Sequence, residues 1–320
     1  MRLALAGDTM LGRRVADAIR AARSLRELLS EDVIEAAREA DFFFLNLECC
    51  ISDRGEPWPD PRKPFFFRAP PRAADLLAEL GVGCVTLANN HALDYGEIAL
   101  LDTFEHLRRV GISYVGAGPD EARAREPVVL DARGFRLGVV AFADHPPEYA
   151  AGPAQAGIAF AELERDPAPA WIRDALAAVK AGARLVSPHW GPNMTPTPVA
   201  HVKAAAAALV DAGATLVAGH SAHVFHGLAG RVLYDLGDFL DDYRVDPYLR
   251  NDLGLLWLVD LDAEGPRRLE AVPLKLDYRR TRVAAGDERA WIRDRLRAAC
   301  ADLGGPDVRE QNQRLIVEWR

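Results

Sequence analysis

Five short apolar runs in this chain end in polar residues of the kind that hold metal ions. Leu3-Ala4-Leu5-Ala6-Gly7 runs into Asp8, and Phe43-Phe44-Leu45-Asn46-Leu47 runs into Glu48. Val85-Thr86-Leu87-Ala88 runs into Asn89-Asn90-His91. Leu185-Val186-Ser187-Pro188 runs into His189-Trp190-Gly191, and Leu216-Val217-Ala218-Gly219 runs into His220-Ser221-Ala222-His223. As strands of an α/β sheet, these runs would bring their carboxyl ends to one edge, where such sheets bind ligands. The expected ligand set is Asp8, Glu48, Asn90, His189, His220 and His223. Carboxylates, an amide oxygen and imidazoles together suit manganese, iron, zinc or cobalt better than calcium, and the lack of thiolates argues against a structural zinc. The set exceeds what one tetrahedral ion needs and suits two divalent ions roughly 3.5–4 Å apart, with a carboxylate bridging them. Such a pair acidifies a water and neutralises charge on a phosphoryl or carbonyl oxygen. His91, beside the Asn90 ligand, is then placed to protonate a leaving group.

Each of these residues also has a plain structural use. Asp8 suits an N-cap for a helix beginning near Leu11. Asn89 and Asn90 suit a turn. His189 by itself suits a hydrogen-bonded structural histidine. His106 and His201 fall within helical patterns and read as surface or packing residues. His226 follows the His220 and His223 pair closely enough to support it from behind. His145 lies in a long irregular stretch, where it can face substrate. The coincidence of suitable residues at every run end is what favours a metal centre.

Strands are expected at 2–7, 42–48, 82–89, 112–116, 126–132, 135–142, 183–188, 214–219, 231–235, 254–262 and 268–278. Helices are expected at 12–22, 30–40, 71–80, 95–110, 167–181, 197–212 and 286–302. This alternation predicts an α/β fold with a largely parallel or mixed sheet. Turns at Ala132-Arg133-Gly134 and at Ala263-Glu264-Gly265-Pro266 add antiparallel members. Residues 52–70 and 144–166 read as loops, long enough to be functional. One domain over 1–320 is expected, with motifs from 7 to 240 and closing strands and a helix over 254–320.

Composition narrows the function. The net charge of the 320 residues is -8 and no basic stripe occurs, which excludes ordinary nucleic-acid binding. No apolar run is long enough to span a membrane, and the first apolar run is too short for a signal peptide. A cytoplasmic protein is therefore expected. Cys49, Cys50, Cys84 and Cys300 lack metal-binding spacing and read as free buried thiols. Neither a phosphate-binding glycine loop nor a serine-hydrolase elbow is present.

The motifs together resemble the CapA family of capsule-synthesis or poly-γ-glutamate biosynthesis proteins, which is related to calcineurin-like metallophosphoesterases. Gly7-Asp8-Thr9-Met10-Leu11-Gly12-Arg13 resembles its opening G-D-x-M-x-G-R, and Asn46-Leu47-Glu48 its N-L-E. Asn89-Asn90-His91-Ala92-Leu93-Asp94-Tyr95-Gly96 is similar to N-N-H-x-x-D-x-G. His189-Trp190-Gly191 and Gly219-His220-Ser221-Ala222-His223-Val224 are similar to H-W-G and G-H-x-x-H-V. Tyr234-Asp235-Leu236-Gly237-Asp238-Phe239 looks like Y-S-L-G-N-F with two polar changes.

The resemblance implies a four-layer α/β/β/α sandwich with mixed sheets and a metal site at one edge. It assigns the six ligands named above by position and makes His91 the catalytic histidine. Asp94 then orients His91 or the loop, a turn-capping role being the alternative. Arg13 would orient an anionic group. Arg68 and Arg250 are further candidates for that role, or else salt-bridged surface residues. Departures stand beside the matches. Met10 occupies the place where ordinary phosphoesterases of this fold carry a histidine ligand, so one metal position loses a nitrogen. Glu48 replaces the usual bridging aspartate, Asn193 stands where many members carry an acid, and the membrane anchor of some members has no counterpart. The implied activities are phosphoester hydrolysis, metal-dependent cleavage or transfer of a γ-glutamyl amide, or non-catalytic binding of an acidic polymer. The expected substrate is an anionic small molecule or a γ-glutamyl polymer.

Overall fold

The computed structural model describes residues 1–319. The larger of its two main sheets runs, edge to edge, Arg309–Gln311, Arg314–Glu318, Gly265–Leu276, Leu253–Asp262, Arg2–Thr9, Phe42–Leu47, Val82–Thr86 and Ser113–Val115. The four strands from Arg2–Thr9 to Ser113–Val115 are parallel, and the others join antiparallel. The smaller sheet runs Leu228–Ala229, Val232–Leu233, Leu216–Ala218, Ala183–His189, Phe135–Ala143 and Val128–Ala132. Its inner strands are parallel and its two edge strands antiparallel.

Alternation along the strands sets the order of layers. Leu137, Val139 and Ala141 share a core with Leu3, Leu5, Leu45 and Val85 of the larger sheet. Val140 and Phe142, pointing the other way, share a core with Ile172, Leu176, Val202 and Leu209. The smaller sheet is thus sandwiched between the larger sheet and the helices Ala170–Ala178 and Ala200–Asp211. Helices Arg13–Ala21, Glu31–Arg38, Arg72–Leu80 and Gly96–Arg109 pack with the larger sheet. The result is the expected α/β/β/α sandwich. Helix Gly286–Asp302 touches strands of both sheets.

All of the expected helices form, and both hairpin turns are in place. At the first turn Arg133 and Gly134 take positive φ values of 53° and 83°. The strands Asp238–Leu240 and Thr281–Val283 carry too few residues to show a period. The four cysteines are free and buried. Among the described residues no helix is long and apolar enough to cross a membrane.

An ionic cluster ties the first strand to the closing ones. Glu270 accepts Arg2 at 2.9 Å, Arg268 at 3.1 Å and Arg314 at 2.9 Å. Burial would raise this carboxyl, but Arg314, Arg268 and Arg2 hold it down at about 2. A carboxyl depressed on folding adds stability that is present above its unfolded value, about pH 4.5, and is lost as pH falls toward 2. Allowing for solvent screening, that contribution is about 1–2 kcal/mol. Glu270→Gln should therefore destabilise the protein by that amount at pH 7 and by progressively less toward pH 2, read from denaturant melts. A difference that stays constant across the range would show that charge is not the cause.

Candidate metal centre

The site is built where the first strand breaks its register. Ala6 faces Leu45 but Asp8 faces Asn46, so Gly7 is an extra residue in the ladder. Bulges of this kind re-aim the side chain that follows. A Cβ on Gly7 would lie 1.8 Å from the Gly237 carbonyl oxygen, so no larger residue fits. On its other side Asp8 pairs in register with Asp238. Asp8 is fully buried and caps no helix: Gly12 precedes helix Arg13–Ala21, without a side-chain cap.

Asp8 is common to two groups of donors whose atoms lie within 4.8 Å of one another, Asp8 with His189 and His220, and Asp8 with Glu48 and His223. His189 and His220 end adjacent runs, share a backbone bridge and bring their Nδ1 atoms to 2.8 Å. His223 places Nδ1 3.2 Å from Asp8 Oδ2 and Nε2 3.8 Å from Glu48 Oε1. Ser221 and His223 adopt φ values of 125° and 60°. Such conformations cost about 1–3 kcal/mol each in a non-glycine residue. They turn both histidines of the His-x-x-His segment toward one carboxylate.

Hydrogen bonds fix these side chains from behind. Asn46 Nδ2 donates to Asp8 Oδ1 at 2.7 Å, and Asn89 Nδ2 donates to Asn46 Oδ1 at 2.9 Å. The Ser221 N–H donates to Asp8 Oδ2 at 3.3 Å, and the Tyr243 hydroxyl to Glu48 Oε2 at 2.9 Å. His220 Nε2 lies 3.0 Å from the Ser187 hydroxyl. His223 Nδ1 is also 2.9 Å from Asp238 Oδ1.

Burial raises the Asp8 carboxyl, and burial together with Asp8 raises Glu48 further. Burial lowers His189 strongly, aided by His220, and lowers His220 to about 3. Both shifts favour the neutral ring, the form that binds metal. Burial opposes a charge on His223, but Glu48 and Asp8 outweigh it and raise that imidazole. Glu48 Oε1, Asn90 Oδ1 and His189 Nε2 are buried without a hydrogen-bond partner. An orphaned buried polar atom costs about 1–3 kcal/mol, and buried carboxylates need a neutralising cation or proton. Divalent ions would meet both demands, so the residues present fit the metal chemistry expected from the sequence.

His91 lies beside this cluster. Its Nδ1 is 2.6 Å from Asp94 Oδ2, and its ring stacks on Phe67 with centroids 4.0 Å apart. Asp94 is fully buried and also accepts the Phe67 N–H at 2.6 Å, Lys63 Nζ at 3.0 Å and the Tyr149 hydroxyl at 3.2 Å. Lys63 in turn donates to the Asn90 carbonyl at 2.8 Å. The proline-rich loop 52–70 thus supplies Lys63 and Phe67 to hold the Asn-Asn-His segment. Burial lowers the His91 imidazole against the opposing pull of Asp94.

The remaining predicted residues divide. Arg13 is 2.6 Å from Asp242 and lies over Phe67 and Tyr243, the rings that contact His91 and His223. His145 packs its ring 5.2 Å from that of His189 and bonds Asp144. His145 also lines two clefts, of about 330 Å3 with Lys63, Asn90 and Tyr149, and about 850 Å3 with Gly191, Asn193 and His201. Arg68 is not brought to the cluster: it donates to the carbonyls of Arg54 and Gly55 and stacks over Tyr95. Arg250 pairs with Asp252 and lies over Trp291.

His201 has more than a packing contact, since its Nε2 is 3.2 Å from Asp144 Oδ2. His226 reaches the Thr195 carbonyl at 2.8 Å. Asp144, Lys63, Tyr243, Asp238 and Asp241 escape a sequence reading built on run ends. The only hint in the sequence is the pair of acids in Tyr234-Asp235-Leu236-Gly237-Asp238-Phe239.

A sandwich of this kind with carboxylates and histidines at a sheet edge defines a protein of the metallophosphoesterase fold. A phosphatase from Mycoplasma pneumoniae shares the fold, with a TM-score of 0.53 at 12% identity over 87% of this chain and 95% of that one. The chain belongs to the bacterial capsule synthesis protein family PGA_cap, whose family model matches residues 2–243. A probable polyglutamine synthesis accessory protein of Mycobacterium tuberculosis is 34% identical over 278 residues, 80% of this chain and 71% of that protein. The capsule biosynthesis protein CapA of Bacillus anthracis is 27% identical over 286 residues, 86% of this chain and 67% of its own.

Proposed function

We propose that the protein is a metal-dependent hydrolase that uses two divalent ions of the manganese, iron or zinc class to cleave a phosphoester in an anionic substrate. The observation that carries this reading is the meeting of two donor groups at one carboxylate, Asp8. When bound, such ions supply an acidified water and neutralise charge on the substrate oxygens. The chain's own residues do the rest. Asn46 and Ser221 hold Asp8 in one orientation, and Tyr243 holds Glu48. Arg13, about one-third exposed, offers its guanidinium to an anionic group beside Phe67 and Tyr243. His91, fixed through Nδ1 by Asp94, presents Nε2 as the atom that hands a proton to the leaving group. Burial favours the neutral ring in the resting protein. A substrate anion bound beside it favours the protonated form.

A second reading, cleavage or transfer at a γ-glutamyl amide, draws on relatives described as capsule biosynthesis and polyglutamine synthesis proteins. The same attack serves either centre. The experiment is a side-by-side assay of metal-loaded protein on phosphomonoesters, phosphodiesters and γ-glutamyl peptides, with chelator-treated protein as control. Metal-dependent phosphoester turnover supports the first reading. Turnover of γ-glutamyl peptides alone replaces it with the second. Bound metal with neither activity moves the protein to a polymer-binding role.

A further inference from the structure

The two positions that meet at Asp8 differ in chemistry. On one side stand His189 and His220, and the donor group there contains no second carboxylate. On the other stand Glu48 and His223, with further acids behind them. Asp238 is 1% exposed, its Oδ1 lies 2.9 Å from His223 Nδ1, and its Oδ2 is buried without a partner. Its strand runs parallel to the first, in register with Asp8. Asp241, also buried, likewise has an oxygen without a partner. Position 10 gives no nitrogen, because Met10 is in the core and its sulfur accepts the Gly12 N–H at 3.0 Å.

These contacts have a direction. With Nδ1 held by Asp238 Oδ1 and Asp8 Oδ2, His223 is left to present Nε2, the atom facing Glu48 Oε1. A carboxylate behind a ligating imidazole fixes its tautomer and strengthens it as a donor. A buried carboxylate oxygen without a partner also calls for a neutralising cation or proton beside it. Carboxylate-rich surroundings suit manganese, whereas imidazole suits zinc.

We propose that the two positions are built for different ions: an oxygen-rich manganese-class position at Glu48 and His223, organised by Asp238 as a positioning residue, and a zinc-class position at His189 and His220. The inference rests on the two-ion reading above. Selectivity is relative, since zinc outcompetes manganese in raw affinity at most sites. The test is therefore competition. Metal-free protein is loaded with Mn2+, then titrated with Zn2+, following manganese by electron paramagnetic resonance and both metals by elemental analysis. The expected result is displacement of one manganese well before the other, through a species holding one ion of each kind. His220→Ala should abolish the easily displaced equivalent and keep the resistant one. Asp238→Asn should weaken the resistant equivalent by about tenfold and spare the other. If His220→Ala does not fold, His189→Gln makes the same comparison, and circular dichroism of the metal-free variants checks the fold. Displacement of both ions in one step, or an unchanged manganese affinity in Asp238→Asn, overturns the proposal while leaving the two-ion reading standing. Wild-type protein that binds neither metal overturns that reading itself.

Discussion

Asp8→Ala is expected to remove metal from both positions at once while the protein stays folded. The reason is geometric. Asp8 belongs to both donor groups, so its loss leaves each with only two of its three members. Among the described residues no other is shared in that way. Affinity should fall by more than about 100-fold, beyond the 10- to 100-fold that losing a mere supporting hydrogen bond costs. The fold should persist, because burial raises this carboxyl and the metal-free protein gains little from holding its charge there. The Asn46 amide loses its acceptor, a cost of about 1–3 kcal/mol. Elemental analysis of wild type and variant, purified without chelators, reads the outcome. Wild type should carry about two equivalents, and the variant close to none. Equal metal content in the two proteins would remove Asp8 from the ligand set and with it the two-ion centre.

His91→Ala should do the reverse, leaving metal content unchanged and lowering turnover by about 100- to 10,000-fold. The ring is not in either donor group, and its Nδ1 is committed to Asp94 at 2.6 Å. What the variant loses is the proton at Nε2. The deficit should therefore be largest for an alkyl phosphoester, whose leaving oxygen needs a proton, and should shrink for a nitrophenyl ester, whose leaving group departs as an anion. Asp94 cannot take over, since its oxygens already accept from Phe67, Lys63 and Tyr149. Full activity on the alkyl ester would end the assignment of His91 as proton donor. Loss of metal in the variant would make it a structural support for Asn90 instead.

The contrast between these two residues shows what local pattern can and cannot reveal. Asp8 and His91 both follow continuous apolar runs, the mark of strands buried on both faces, and such runs are visible without any structure. The helices were equally legible, since a long amphipathic period survives small errors at its ends. The strand Asp238–Leu240 was not. It carries three residues, and its partner lies at the far end of the chain, so no local signal marks it. Arg68 and Arg250 illustrate a different gap. An arginine's sequence context does not say which carbonyls or carboxylates will surround it, and here they are those of Arg54, Gly55 and Asp252. His201 shows the same gap in the other direction, because Asp144 reaches it from a distant loop.

The class of fold and the candidate donors at the ends of apolar runs are legible from the residues alone, because hydrophobic pattern and side-chain chemistry are local properties. So are the departure at Met10 and the acids at 235 and 238. It takes the packed sandwich to show that Asp8, rather than Glu48, is common to the two donor groups, that Lys63 and Phe67 brace His91 and Asn90, and that Asp238 backs His223. Those facts depend on a bulge at Gly7 and on parallel pairing between strands distant in the chain. Register of that kind is fixed by packing of the whole sandwich, where a slip of one residue would turn every side chain to the opposite face.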